Sequence, residues 1–140
     1  MKKCLFIALL LTTPAWAGDW VYLGETKDYK HYLDKDSIHI KRFADGEQYV
    51  SAWIREDFKT AKKSASGKTY WQNKILFHFD CANQKWDFSH LMHYDQQGNV
   101  ATNKTNPISF RSSRAWQNVA PDTAGETKFT ITCRLVALNK

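Results

Sequence analysis

Apolar and polar residues alternate with period two along most of the chain from residue 20 onward, the signature of half-buried strands. Trp20 to Leu23 predicts a first strand and Tyr29 to Leu33, beyond a polar turn, a second. Ser37 to Phe43 and Gln48 to Arg55 flank Ala44-Asp45-Gly46, and an Asp-Gly step between alternating segments predicts a hairpin. That hairpin sets Ile38 and Ile40 opposite Val50, Ala52 and Ile54. The clearest alternation runs from Ile75 to Cys81, with Ile75, Phe77, Phe79 and Cys81 on one face and Leu76, His78 and Asp80 on the other. Cys81 is thereby aimed at the core. Asn83-Gln84 makes the next turn, and Trp86, Phe88, His90, Met92 and Tyr94 then form an apolar face. The reverse carries Asp87, Ser89, His93 and Asp95, with Leu91 an exception to the pattern. Gln97-Gly98-Asn99 turns the chain into Val100 to Asn103. Consecutive hairpins of this kind predict an antiparallel meander.

Pattern alone leaves the C-terminal segment open. Thr123 followed by Glu126 matches a capping box with Pro121 just outside it, and Phe129, Cys133 and Val136 would share a helical face. Phe129, Ile131, Cys133 and Leu135 also alternate, however, and the threonines and Gly125 are poor helix formers. Phe58 to Lys68, with four lysines among small polar residues, reads as a mobile basic hairpin loop, and Asn103 to Arg114 as an irregular stretch. No repeat or linker divides the chain.

The N-terminus breaks the alternation. Lys2 and Lys3 precede an apolar run, Cys4 to Leu11, and Ala15-Trp16-Ala17 supplies a small-x-small cleavage pattern. Residues 1–17 are expected to be a signal peptide and residues 18–140 one exported domain, in the periplasm or at the outer cell surface. The leader lacks a lipobox, since Cys4 precedes the apolar run and Gly18 stands at the cleavage position, so a lipoprotein is not expected. An oxidising destination makes Cys81 and Cys133 an expected disulfide rather than metal ligands or catalytic thiols. Closing about fifty residues, such a bridge is worth roughly 4 kcal/mol in the chain-entropy model. The 20 basic residues fall to 18 without Lys2 and Lys3, against 14 acidic ones, a net charge of +4 with histidines neutral. This mild surplus favours acidic partners.

Two binding candidates follow. Lys59, Lys62, Lys63 and Lys68 could meet sulfated glycans, lipopolysaccharide phosphates or an acidic protein patch, or could simply be solvated. Tyr49 and Trp53 lie on the strand face opposite Val50, Ala52 and Ile54. If a helix covers one face only, they are left as a partner surface or homodimer interface, unless loops fold over them. Catalytic chemistry is not indicated. There is no Gly-x-Ser-x-Gly and no phosphate loop, and no nucleic-acid signature. His78 beside Asp80 on one face is either an oriented acid–base pair or an ordinary polar sheet surface. His90 is expected to be a hydrogen-bonded core histidine. His90 and His93, three apart on a strand, face opposite sides and cannot share a metal, and His31 and His39 show no ligand spacing. No metal or other cofactor is expected.

These landmarks, taken in order, resemble the surface-adhesin protein E family of small exported bacterial proteins. The matching pieces are Trp20; Tyr32-Leu33-Asp34 followed by Ser37-Ile38; Gly46 and Trp53; the strand ending in Asp80-Cys81; the Tyr94-Asp95…Gly98 turn; Trp116 with Pro121; and Cys133. The resemblance implies a single α+β domain, an antiparallel sheet of about six strands with a C-terminal helix pinned to one face by the disulfide. It implies a non-catalytic, adhesin-like protein that binds host-matrix or cell-envelope ligands. The alternative is a periplasmic accessory or inhibitor protein acting on another bacterial protein, and a third reading is a hydrolase centred on His78 and Asp80.

Overall fold

The alternating segments become strands in the order in which they occur. A computed structural model describes residues 18–138; the leader expected over residues 1–17 lies outside the described residues. The elements are β1 Trp20–Glu25, β2 Tyr29–Asp34, a single 3-10 turn Lys35–Ser37, β3 His39–Arg42, β4 Gln48–Lys63, β5 Thr69–Asp80, β6 Lys85–Tyr94, β7 Val100–Thr105, β8 Gln117–Asn118 and α1 Ala124–Leu138. The strands form one antiparallel sheet in the order β1-β2-β4-β5-β6-β7, with β3 on β4 and the short β8 on β6. The expected hairpin turns at Gly46, whose φ of +91° is open to glycine at no steric cost, and Ile40 pairs with Val50 across it.

The core lies under α1. Ala52, Ile54, Ile75, Phe77 and Phe79 present one face of β4 and β5 to Phe129, joined by Leu23 and Leu33. Thr123 begins the helix as its sequence suggests: Glu126 N donates to Thr123 Oγ1 at 3.2 Å. The Glu126 carboxylate reaches one residue further back, where Asp122 N donates to its Oε2 at 2.8 Å. The C-terminal segment is therefore helix. Cys81 and Cys133 are joined as a disulfide with Cα atoms 5.8 Å apart, tying α1 to the end of β5.

Two expectations are corrected. Phe58 to Lys68 is not a loop: β4 continues to Lys63 and β5 begins at Thr69, so the two strands run on as a ribbon beyond the sheet, turning at Ser64–Gly67. Long alternating sequence is visible there only once Lys62 pairs with Tyr70 and Lys63 with Thr69. The second correction concerns β6. Its register slips beside Leu76 and Phe77, where Phe77 pairs with Phe88 but Leu76 with His90, leaving Ser89 as an extra residue. The bulge exchanges faces. Trp86 and Phe88 point at the helix before it, and Leu91 and His93 after it, which removes the exception at Leu91. His90 is thereby turned away from the core onto the opposite face, half-buried, with its ring centroid 6.4 Å from that of Trp53.

Candidate ligand-binding face

Among the described residues, the sheet face opposite α1 is covered at one end only. The connection from β7 to β8 folds back over it, and Trp116 packs with Phe43 and Tyr49 into a second small core supported by Ile108. Trp116 Nε1 donates to Ser109 O at 2.9 Å, which holds the connection closed on itself. Tyr49 is therefore buried, its ring 5.5 Å from Phe110 and 5.7 Å from Trp116.

His78 and Asp80 lie under the same cover and do not meet as an acid–base pair. His78 is 2 % exposed, ringed by Tyr49, Phe110 and Trp116. Its Nε2 is 2.7 Å from Ser89 Oγ, the residue of the β6 bulge, and its Nδ1 has no partner. Burial, with Lys41 adding to it, pushes the imidazole down to about 4, so it is neutral at physiological pH. Asp80 is buried too, but it accepts from Ser113 Oγ at 2.6 Å and from Asn83 N and Nδ2 at 3.1 and 2.9 Å. Burial would raise its pKa; those bonds, with one from the Ala82 amide, outweigh it and hold the carboxyl below its usual range. Asp80 ties the connection to the sheet through Ser113, while the His78 ring packs against Phe110 and Trp116 of that connection. A polar sheet surface does not exist here either, because the connection covers it.

Beyond this cover no other described segment lies over the face. Tyr22, Tyr32, Arg55, Lys74 and Met92 are matched in register from β1 to β6 and form one row across five strands. Strand parity puts Trp20, Trp53, Leu76, His90 and Tyr94 on the same side. The Arg55 guanidinium lies 4.3 Å from the centroid of Tyr32 and 4.9 Å from that of Trp20. Lys74 Nζ lies 4.6 Å from Tyr94 and 5.9 Å from Trp20. Each contact of this kind is worth about 0.5–1 kcal/mol at a wet surface. Arg55 Nε stands 3.2 Å from Asp57 Oδ1 but out of line for a hydrogen bond, and Asp57 already accepts from Gln72 Nε2 at 2.8 Å. Tyr22, 53 % exposed, ends the row with its ring 5.5 Å from Tyr32. The arrangement offers flat apolar rings interleaved with two cations, suited to stacking on a ligand while meeting its negative charge.

Of the residues singled out from sequence, Trp53 lies on this open face and Tyr49 beneath the cover. The four lysines sit on the β4–β5 ribbon and divide into pairs. Lys59 binds Glu25 at 3.0 Å and donates to Thr26 O at 2.8 Å, and Lys62 lies 4.0 Å from Asp28. Lys63 and Lys68 flank the Ser64–Gly67 turn at the tip. Arg55 and Lys74 were not picked out from sequence, and Trp20 and Tyr32 only as landmarks of the family resemblance, not as binding residues. Their signal was parity, since each is one residue out of phase with a core position, but pairing register was needed to bring them into a row.

A second polar cluster, also missed, lies beneath the helix. Lys128 Nζ donates to Glu56 Oε1, Asn73 Nδ2 donates to Glu56 Oε2 at 3.2 Å, and His93 Nδ1 is 2.5 Å from Asn73 Oδ1. His93 stacks on Tyr70 at 3.8 Å. Burial, then the charge of Glu56, pushes the Tyr29 phenol up to about 12, and burial followed by Lys128 lowers His31. Lys128, Glu56, Asn73 and His93 pair with one another between sheet and helix and read as a structural network, while the buried His31 Nδ1 beside them has no hydrogen-bond partner among the described residues. Among the described residues no three side chains are grouped to hold a metal ion, and no helix is long and apolar enough to cross a membrane.

A family model described as surface-adhesin protein E matches residues 20–134. No curated protein and no solved structure matches the chain. The matched span runs from the first residue of β1 into the last turns of α1, past both cysteines, and the chain belongs to the surface-adhesin protein E family.

Proposed function

We propose that this protein is a non-catalytic, adhesin-like binding protein of the cell envelope, and that it grips a host-matrix protein or an acidic glycan with the open sheet face. The observation that carries the reading is the row Tyr22–Tyr32–Arg55–Lys74, aromatic rings and cations left uncovered on the side away from the helix. Tyrosine, tryptophan and arginine are the residues that dominate binding energy at protein contacts, and rigid rings lose little entropy on binding. Trp53 extends the face, and Lys63 and Lys68 add positive charge farther along the β4–β5 ribbon, at its tip. Family membership supports recognition over catalysis, as do the separate partners of the two buried side chains, Ser89 for His78 and Ser113 with Asn83 for Asp80.

The test is binding of the purified protein to a panel of matrix proteins, heparin and lipopolysaccharide at low and high salt. Arg55→Ala with Lys74→Ala should weaken binding at least tenfold, and Tyr22→Ala severalfold. Lys63→Gln with Lys68→Gln should reduce only the salt-sensitive part. Binding that survives the face variants but is lost with the tip lysines would transfer the site to the ribbon. Saturable binding to none of the panel, with the protein confined to the soluble periplasm, would favour the accessory or inhibitor role instead.

A further inference from the structure

The sheet has a step in its edge, one strand wide. β2 and β3 run in the same direction along β4, β2 opposite Ile54–Phe58 and β3 opposite Gln48–Ser51. β1 covers the outer edge of β2, and its ladder stops where Trp20 meets Asp34 and Lys35 N donates to Asp19 O at 2.9 Å. Among the described residues no strand lies outside β3, and all four of its residues are exposed. A row of main-chain donors and acceptors is left beside it, which is the template for an added strand. Such a strand, antiparallel to β3, would continue the line of β1.

The step opens onto a groove. On the helix side of β3 lies a cavity of about 470 Å³ whose lining includes Ile40, Val50, Cys133, Val136 and Ala137, with Arg42 and Glu47 as its charged residues. Ile40 is 49 % exposed although its cross-strand partner Val50 is buried, so apolar side-chain surface stops short of cover at the edge. Charge then selects the occupant. Lys41 and Arg42 make the strand cationic, with Lys41 on the face opposite Ile40 and Arg42 on the same face, where its Nη1 donates to Gly46 O at 2.9 Å. A second copy of β3 laid alongside would bring these cations together, and like charges on an edge strand deter such self-pairing. An acidic strand meets no such barrier.

We propose that the β3 edge accepts an extended segment of another protein, added antiparallel to β3, with an apolar residue opposite Ile40 over the groove and carboxylates opposite Lys41 and Arg42. Main-chain hydrogen bonds supply the adhesion, the groove and the two cations the choice of sequence. This site is separate from the open face and does not depend on it.

The probe is a capped hexapeptide, Thr-Glu-Glu-Val-Thr-Val, titrated into the purified protein, with amide hydrogen exchange to locate it. Saturable binding with slowed exchange at His39–Arg42 is expected. Methylating alternate backbone nitrogens of the peptide should weaken it at least tenfold, as should Ile40→Lys in a protein whose circular dichroism and disulfide are unchanged. Arg55→Ala with Lys74→Ala should leave it unaltered, which separates this site from the open face. Absence of saturable binding overturns the proposal, as does equal binding of the methylated peptide or protection confined to β7. A dimer by sedimentation whose β3 amides are protected without peptide would overturn it in favour of a second copy.

Discussion

Lys128 Nζ meets Glu56 Oε1 beneath helix α1, and the two side chains are 5 % and 9 % exposed. The pair joins the helix to the middle of the longest strand, with the lysine ammonium also 5.3 Å from the ring of Tyr29 and 5.2 Å from that of Phe77. Removing one partner leaves a charge buried without its counterion, which costs about 3–5 kcal/mol. Lys128→Met is therefore expected to lower unfolding free energy by that order in urea titration. Adding Glu56→Gln to it should restore most of the loss, because an amide needs no counterion and still meets Asn73. A loss below about 1 kcal/mol in the single variant would show that the pair adds nothing to the folded state.

Stability should fall between neutral pH and pH 4 because histidines are buried neutral. An unfolded chain binds a proton at His78 near 6.5, whereas the folded chain, with its imidazole pushed down to about 4 by burial and Lys41, does not. The unfolded state thus holds more protons inside this window. Stability is complete above 6.5 and declines as pH drops toward 4, by about 3 kcal/mol for this one group. His31 and His93, lowered mainly by burial, act in the same direction. Urea midpoints measured from pH 7.5 to 4 should show the decline, and His78→Phe should flatten it. An unchanged pH slope in that variant would remove His78 from the account.

The Cys81–Cys133 bridge encloses a sequence separation of 52 residues. Chain entropy assigns about 4 kcal/mol to a loop of that length. Reduction, or Cys81→Ser with Cys133→Ser, is expected to lower the unfolding free energy by that order and to loosen α1 first. Thiol titration of the denatured protein without reductant should find none if the leader is gone and one, Cys4, if it is retained. Two or more would show that the bridge does not form.

Lys59 holds the carboxyl of Glu25 below its usual range, by a hydrogen bond first and by charge second. Lys59→Gln should let the Glu25 pKa rise, read by carboxyl chemical shift during an NMR titration. Lys63→Gln, at the ribbon tip, should leave it in place. Equal shifts in both variants would show that the ribbon acts as a diffuse positive field and not through paired contacts.

Period-two alternation was enough to determine most of the strands, the Gly46 hairpin and the inward aim of Cys81, because burial on one sheet face writes itself into every second residue, while the family was legible in the order of its landmark residues from Trp20 to Cys133. The cap of α1 was also legible, since Thr123 and Glu126 act within one turn. Alternation could not show the bulge at Ser89, because one extra residue in β6 has meaning only against the unbroken β5 beside it, and it moved His90 and His93 to the faces opposite those expected. Nor could it show that the lysine-rich segment is a ribbon, as lysine and threonine on exposed strands carry no apolar rhythm. Tertiary structure alone brought Tyr22, Tyr32, Arg55 and Lys74 into one row from four separate strands. It alone paired Lys128 with Glu56 across 72 residues of chain. Local sequence governs which face a side chain points to, whereas register and the closing of the helix decide which side chains then meet.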